Sequence, residues 1–355
     1  MKIGRAGAVS IASALLLVGC SSATGSNQSA ATQDIRDAVL TNMSGDCADH
    51  SINYKTLVKD VQRDIAFSAT VTLSDDATKC TISANNIPNY DFNDGSGHFA
   101  ESAREQDITL SITRNPKKAD TPTELSLLYY SAVMINGVVL DQVANGCYKP
   151  EDVAADSDGN IANGCGASAD WRLDPLGKVK LGTDSHNAHV QPGGLYHYHG
   201  DPRALYDLED STKASPVIGF AADGFPVYGP YYFDDKTDQI AAAKSGYSIK
   251  SGQRPSGDSS PAGNYDGTYV QDYEFTGVGT LDRCNGMTVN GQYGYYITNS
   301  YPYVLGCYSG TPDMSFNKFE SAFNFAGVAF AGVGGTLIVL TIFTIRRTKK
   351  KVIND

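Results

Sequence analysis

The segment Asn187-Ala-His-Val-Gln-Pro-Gly-Gly-Leu-Tyr-His-Tyr-His-Gly200 predicts a β-hairpin. Polar and apolar residues alternate on either side of the Pro-Gly-Gly sequence, which is typical of two antiparallel β-strands joined by a tight turn. A three-residue loop at Pro192-Gly193-Gly194, with a glycine in the left-handed region, would place His189 opposite His197. A two-residue loop at Gly193-Gly194 would instead turn His189 to the other face of the hairpin.

Histidines collect on one face of this predicted hairpin. Successive side chains of a strand point to opposite faces, so His197 and His199 share one face. Tyr196 and Tyr198 share the other face, and the three-residue loop adds His189 to the histidine pair. Three neutral imidazoles are a usual ligand set for Zn²⁺ or Cu²⁺. The sequence therefore predicts a copper or zinc site at the three histidines.

A carboxylate is expected to complete or orient this ligand set. The candidate is Asp223, because it lies in Ala221-Ala-Asp-Gly-Phe-Pro-Val-Tyr-Gly229, another turn-rich junction between polar and apolar residues. The alternative interpretation is a strand of tyrosines and histidines held by hydrogen bonds, with no metal.

Three functions fit the hairpin. The first is a binding protein for copper or zinc at the cell surface, and the second is a metal-dependent hydrolase or oxidoreductase. The third is a recognition module whose tyrosine-rich surface binds a glycan or a protein, with structural histidines; 16 of the 21 tyrosines lie between Tyr196 and Tyr308. No G-x-S-x-G, H-E-x-x-H or phosphate-binding glycine motif occurs in the sequence, so it names no catalytic residue.

The rest of the body is predicted to be all-β, as a mainly antiparallel, sandwich-like domain with long loops. Asn136-Gly137 is a strong hairpin signal, and short helices are expected at residues 34–40 and 239–244. Alternation of apolar and polar side chains predicts strands at residues 65–73, 80–83 and 108–113.

The histidine stretch resembles the signature of the YHYH-domain family. Two further blocks are similar to that family: residues 218–229 form the second, and residues 281–286 with 301–307 form the third. The resemblance covers about residues 78–310 and implies a domain extent but no reaction. Some family members repeat the histidine pair in the third block, where this chain has Tyr293-Gly-Tyr-Tyr296.

The N-terminus is predicted to be a lipoprotein signal. Residues 1–19 combine Lys2 and Arg5 with an apolar stretch, and Leu17-Val-Gly-Cys20 resembles a bacterial lipobox. Cys20 is therefore the expected lipidation site. Residues 20–33, rich in Ser, Ala and Thr, are expected to form a flexible tether.

The C-terminus is predicted to span a membrane. Residues 324–345 contain no charge and are long enough to cross the hydrocarbon core as a transmembrane helix. The basic tail at residues 346–355 belongs on the cytoplasmic side. Residues 34–320 would then form an extracytoplasmic domain of the cell envelope, periplasmic or at the cell surface. An alternative is removal of the C-terminal segment.

The cysteine count agrees with an oxidising compartment. Setting Cys20 aside leaves six cysteines, which allow 15 pairings as disulfides. The pairing with the shortest loops joins Cys47 to Cys80, Cys147 to Cys165 and Cys284 to Cys307.

Charge and motif content exclude some ligands. Seven basic residues lie near the chain ends, so the body between them carries 21 basic and 38 acidic residues. So acidic a body would repel nucleic acid.

Residues 156–160 and 91–95 resemble the start of a calcium loop. The first segment lacks the glycine and glutamate that such a loop requires, so solvated acidic turns are expected and calcium is not.

Overall fold

The computed structural model describes residues 32–148, 170–179, 181–257 and 259–319. Within these ranges the chain is mostly strand, and its helices are three single 3₁₀ turns, at Cys47–His50, Val270–Asp272 and Met314–Phe316. The sixteen strands are β1 Ile52–Asp60, β2 Ile65–Asp75, β3 Lys79–Ala84, β4 Ile108–Thr113, β5 Ala132–Met134, β6 Val139–Leu140, β7 Ala188–Gln191, β8 Leu195–Tyr198, β9 Val217–Ala221, β10 Pro226–Tyr228, β11 Tyr231–Asp234, β12 Gln239–Ala242, β13 Tyr247–Ile249, β14 Tyr273–Phe275, β15 Gly286–Val289 and β16 Gln292–Tyr296. The all-β prediction is confirmed.

The first four strands form an antiparallel sheet in chain order. In the second half of β2, Ala69, Val71 and Leu73 are buried, while the two residues between them are exposed. Such alternation gives a strand one apolar face. The three strands predicted by alternation fall within β2, β3 and β4.

The histidine hairpin lies at one edge of an eight-stranded sheet of order β15-β16-β10-β9-β5-β6-β8-β7. This sheet is mixed, because β6 with β8 and β10 with β16 are parallel. Parallel neighbours require a long crossover connection, which alternation along the sequence does not reveal. Two separate two-stranded antiparallel sheets, β11-β12 and β13-β14, complete the strands in the described residues.

The turn between β5 and β6 brings the two larger sheets together. Gly137 has φ +82°, and a Cβ there would lie 2.5 Å from side-chain atoms of Val71 and Ala84. Only glycine satisfies both the left-handed backbone and this close approach. Side chains from both sheets belong to one hydrophobic core.

Both predicted helices are wrong. Residues 239–242 form β12, in which Ile240 pairs opposite Phe233 of β11. Cross-strand packing here overrides the helix propensity of the alanines. Residues 34–40 form a turn, in which Asp37 adopts φ +51°, outside the helical region.

Two of the predicted disulfides are confirmed, Cys47–Cys80 and Cys284–Cys307. The third predicted pairing involves Cys165, which lies outside the described residues. The signal at residues 1–19, Cys20, most of the tether, the span at residues 324–345 and the basic tail lie outside them too. Among the residues described, no helix is long and apolar enough to cross a membrane.

Candidate metal centre

The hairpin of β7 and β8 has the register that the three-residue loop predicts. His189 pairs opposite His197, and Gln191 pairs opposite Leu195. Gly194 closes the turn by donating its amide to the Gln191 carbonyl at 3.0 Å, and its φ is +85°. A side chain is disfavoured in this backbone region, so the glycine fixes the loop length and with it the register.

This register brings three imidazoles together. The Nε2 atom of His199 lies 3.2 Å from that of His197 and 3.1 Å from that of His189. The three histidines form a group whose ligand atoms all lie within 4.8 Å of one another. His197 and His199 are 2% and 3% exposed, whereas His189 is half-buried. The approach to the cluster from solvent is therefore on the His189 side.

Backbone carbonyls orient two of the rings. Nδ1 of His189 lies 2.5 Å from the Leu181 carbonyl, and Nδ1 of His197 lies 3.2 Å from the Leu195 carbonyl. A carbonyl only accepts hydrogen bonds, so each Nδ1 carries the proton and each Nε2 of the neutral ring is left with a lone pair. Both lone pairs belong to the atoms that meet at the centre of the cluster.

His199 differs from the other two. Its Nδ1 is buried and makes no satisfactory hydrogen bond within the described part of the chain. Burial lowers the pKa of this ring, and the backbone of Gln142 opposes that lowering. A cation bound at Nε2 would favour the tautomer that carries the proton on Nδ1, as in the other two rings.

Burial keeps the cluster neutral. Removal from water lowers the pKa of His197 well below 6.5, and the neighbouring imidazoles lower it further. The pKa of His199 is lowered well below 6.5 for the same reasons, and that of His189 is lowered by burial. Neutral imidazoles are the form that binds metal ions.

The spacing of the nitrogens fits a metal ion. Zinc binds histidine nitrogen at about 2.0–2.1 Å, so two nitrogens of a tetrahedral site lie about 3.3–3.4 Å apart. The contacts of 3.1 and 3.2 Å at His199 are within a few tenths of an ångström of that spacing. Small ring movements would accommodate the ion.

Asp223 is not part of the cluster, contrary to expectation. Its buried carboxylate accepts hydrogen bonds from the Tyr295 hydroxyl at 2.5 Å and the Gly310 amide at 2.8 Å. Burial raises the pKa of this carboxyl, and these donors lower it. Asp223 therefore joins the turn after β9 to β16 and to the chain near Gly310.

A second group, Asp46 with Cys47 and Cys80, also brings ligand-type atoms together. The two sulfurs form the disulfide, so they are not available as thiolate ligands. Within the calcium-like segment at residues 91–95, the Asp91 carboxylate pairs with Arg36 at 2.7 Å. The other such segment, residues 156–160, lies outside the described residues.

The tyrosine face of the hairpin is buried. Tyr196 and Tyr198 are both 0% exposed, so they do not form a recognition surface. The Tyr196 hydroxyl donates to the Asp184 carboxylate at 2.9 Å, and Tyr198 meets both Tyr90 and Asn136. Sequence reasoning missed Tyr90 and Asp184 as partners, because no local pattern links them to the hairpin.

A cavity of about 260 Å³ is lined by Gln142 and by none of the three histidines. Gln142 is the residue common to both, because it lines the cavity and its backbone contacts His199. Its amide donates to the carbonyls of Pro302 and Leu305, both at 2.6 Å. Tyr301 and Tyr303 form part of the same wall.

Comparison with known proteins agrees with the resemblance in the sequence. A family profile described as "YHYH protein" matches residues 109–310, starting later than the expected residue 78. Neither a curated protein nor a solved structure matches the chain. The profile covers more than half of the chain and includes the histidine hairpin, and the chain therefore belongs to the YHYH protein family.

Proposed function

We propose that this protein binds a transition-metal ion, copper or zinc, through His189, His197 and His199. The observation that carries the proposal is the convergence of three Nε2 atoms, with contacts of 3.1 and 3.2 Å, in a largely buried site. Imidazole ligands suit zinc and copper, whereas calcium and magnesium prefer oxygen.

Metal titration of the full chain in detergent tests this proposal. The protein is stripped with EDTA and titrated with Zn²⁺ and Cu²⁺ in a calorimeter, and bound metal is then measured by elemental analysis. We expect one ion per chain, and loss of that ion in His197→Ala/His199→Ala. His98→Ala is the control, because His98 is exposed and outside the cluster. Absence of uptake by the wild-type protein would refute the proposal.

A second candidate is a metal-dependent hydrolase or oxidoreductase. The observation that favours it is that Gln142 lines a cavity of about 260 Å³ and also contacts His199 through its backbone. Polar and aromatic groups lining such a space can orient a small molecule. Screening the metal-loaded protein against chromogenic esters, phosphoesters and phenols tests this candidate. Activity that persists in His197→Ala/His199→Ala would exclude the cluster as its centre.

We also propose that the protein acts at the cell envelope as a lipoprotein with a C-terminal membrane span. The lipobox at Cys20 and the uncharged residues 324–345 support this location, and disulfides fit an oxidising compartment. Labelling of cells with a fatty acid should mark the wild-type protein but not Cys20→Ser. The binding of a surface glycan or protein is a less favoured function, because both tyrosines of the hairpin are buried.

A further inference from the structure

A buried ion pair joins Asp141, the residue that follows β6, to Lys318. The Lys318 Nζ atom is 2.7 and 2.6 Å from the two carboxylate oxygens of Asp141. The side chain of Asp141 is 5% exposed and that of Lys318 is 16% exposed. The cost of removing both charges from water offsets much of their attraction, so such a pair contributes little to the stability of the fold. A contribution to stability alone therefore does not explain why a buried ion pair is found here.

Strand geometry puts Asp141 on the histidine face. In the parallel pair of β6 and β8, Leu140 lies beside Tyr198, and the Asp141 amide donates to the Tyr198 carbonyl at 2.9 Å. Neighbouring positions of a parallel pair share a face. Continuing this register by one residue beyond the ends of β6 and β8 brings Asp141 beside His199.

The pair lies beside the cluster in the fold. The Asp141 amide contacts the carbonyl of Tyr198, the residue before His199, and Asp141 holds the Lys318 ammonium at 2.6 and 2.7 Å. Burial raises the pKa of Asp141, and the attraction of Lys318 opposes that rise. The three histidines are neutral ligands, so a bound divalent ion would bring two uncompensated positive charges close to this pair.

We propose that Asp141 and Lys318 are positioning residues that tune the histidine site electrostatically, Asp141 attracting the bound cation and Lys318 repelling it. The inference rests on the proposed metal function. It assigns the role of the site's carboxylate to Asp141 instead of Asp223. Asp141 would act through its charge, from the position that directly follows β6.

Two substitutions that break the same ion pair test the inference. Asp141→Asn removes the negative charge and should weaken Zn²⁺ affinity about 10-fold, the lower end of the range for groups outside the ligand set. Lys318→Met removes the positive charge and should strengthen Zn²⁺ affinity roughly 3-fold to 10-fold. A purely structural role predicts weaker binding in both variants, because both lose the same contact. The readout is calorimetric titration of the full chain with Zn²⁺.

The double variant Asp141→Asn/Lys318→Met protects the test against misfolding. This variant leaves neither charge of the pair buried without the other. The difference in Zn²⁺ affinity between it and Asp141→Asn gives the effect of the Lys318 charge on metal binding in a folded protein. The control is Lys79→Met, which breaks the Lys79–Asp313 pair at 3.2 Å, where Lys79 is 49% exposed. This control should bind Zn²⁺ like the wild type.

The outcomes separate the two proposals. Opposite shifts in the two single variants support the inference. If the wild-type protein binds Zn²⁺ but both variants shift in one direction, or neither shifts, the inference is wrong and the metal site stands. A wild-type protein that binds no Zn²⁺ or Cu²⁺ overturns both.

Discussion

The hydroxyl oxygens of Tyr90 and Tyr198 lie 2.6 Å apart in the core, behind the strand whose other face carries the histidines. Tyr90 also stacks on the ring of His186, with centroids 3.7 Å apart. Asn136 donates to the Tyr198 hydroxyl at 3.0 Å. These contacts hold the hairpin from its tyrosine face, so the position of the three histidines depends on groups outside the histidine cluster.

Replacement of Tyr198 by Phe should destabilise the protein. The change removes one hydrogen bond from Tyr90 and one from Asn136, which keep Tyr196 at 3.3 Å and Asn89 at 3.0 Å as partners. The expected loss is therefore about 0.5–1.5 kcal/mol in the free energy of unfolding. Urea denaturation followed by circular dichroism measures it. Tyr265→Phe, at a half-buried tyrosine outside this network, serves as the control. An unchanged unfolding midpoint in Tyr198→Phe would show that the hydroxyl contributes nothing.

The histidine trio could be predicted because its geometry is local. Pro192-Gly193-Gly194 sets the loop length, and the alternation of the strand then decides which side chains share a face. Adjacent residues and one turn therefore suffice to bring His189 to His197. The same locality explains why the hairpin at Asn136-Gly137 was predictable.

The surroundings of the trio could not be predicted because they are not local. Asp141 reaches the histidine strand through the parallel pairing of β6 with β8, and Lys318 comes from the far end of the described chain. Asp223 lies in a turn-rich segment that suggested a ligand, but its partners are Tyr295 and Gly310. Sequence patterns identify such a turn, but they do not identify what lies opposite it.

Replacement of Asp223 by Asn should lower stability and leave metal affinity unchanged. Tyr295 and Gly310 donate to one carboxylate oxygen, Oδ2, while the Phe225 amide donates to the other at 3.4 Å. The NH2 group of asparagine must replace one of these oxygens and face a donor, and the loss of the carboxylate charge weakens the bonds that remain, so the expected loss is about 1–3 kcal/mol. Thermal unfolding measures stability, and calorimetric titration with Zn²⁺ measures affinity. If Asp223→Asn binds Zn²⁺ more than 10-fold more weakly while it remains folded, Asp223 belongs to the metal site after all.

Deletion of Gly193 should abolish metal binding without unfolding the protein. The shorter loop has two residues, so His189 turns toward the tyrosine face and the trio becomes a pair. Gly193→Asn keeps the loop length, and asparagine tolerates the left-handed backbone that Gly193 adopts at φ +98°. We expect titration to show Zn²⁺ binding in Gly193→Asn and none in the deletion. Equal affinities would mean that the loop does not set the ligand geometry.

The metal-free protein should lose stability as the pH falls below about 6.5. The pKa values of His197 and His199 are lowered in the folded state by burial, so between the folded pKa and 6.5 the unfolded chain binds more protons. Unfolding is then favoured by acid, with a slope approaching about 1.4 kcal/mol per pH unit for each histidine. Urea denaturation between pH 5 and pH 8 in the presence of EDTA measures this slope.

Buried carboxyls require a difference measurement. Burial raises the pKa of Asp184 and Asp223, and such groups act in the opposite direction, because their stability contribution is lost as the pH rises through the folded pKa. Subtracting the pH profile of His197→Ala/His199→Ala from that of the wild type removes their effect. The remaining difference in the free energy of unfolding should favour the double variant increasingly below pH 6.5. The pH profile of His98→Ala should follow that of the wild type. Parallel profiles for the wild type and the double variant would mean that the two histidines are not held neutral by the fold.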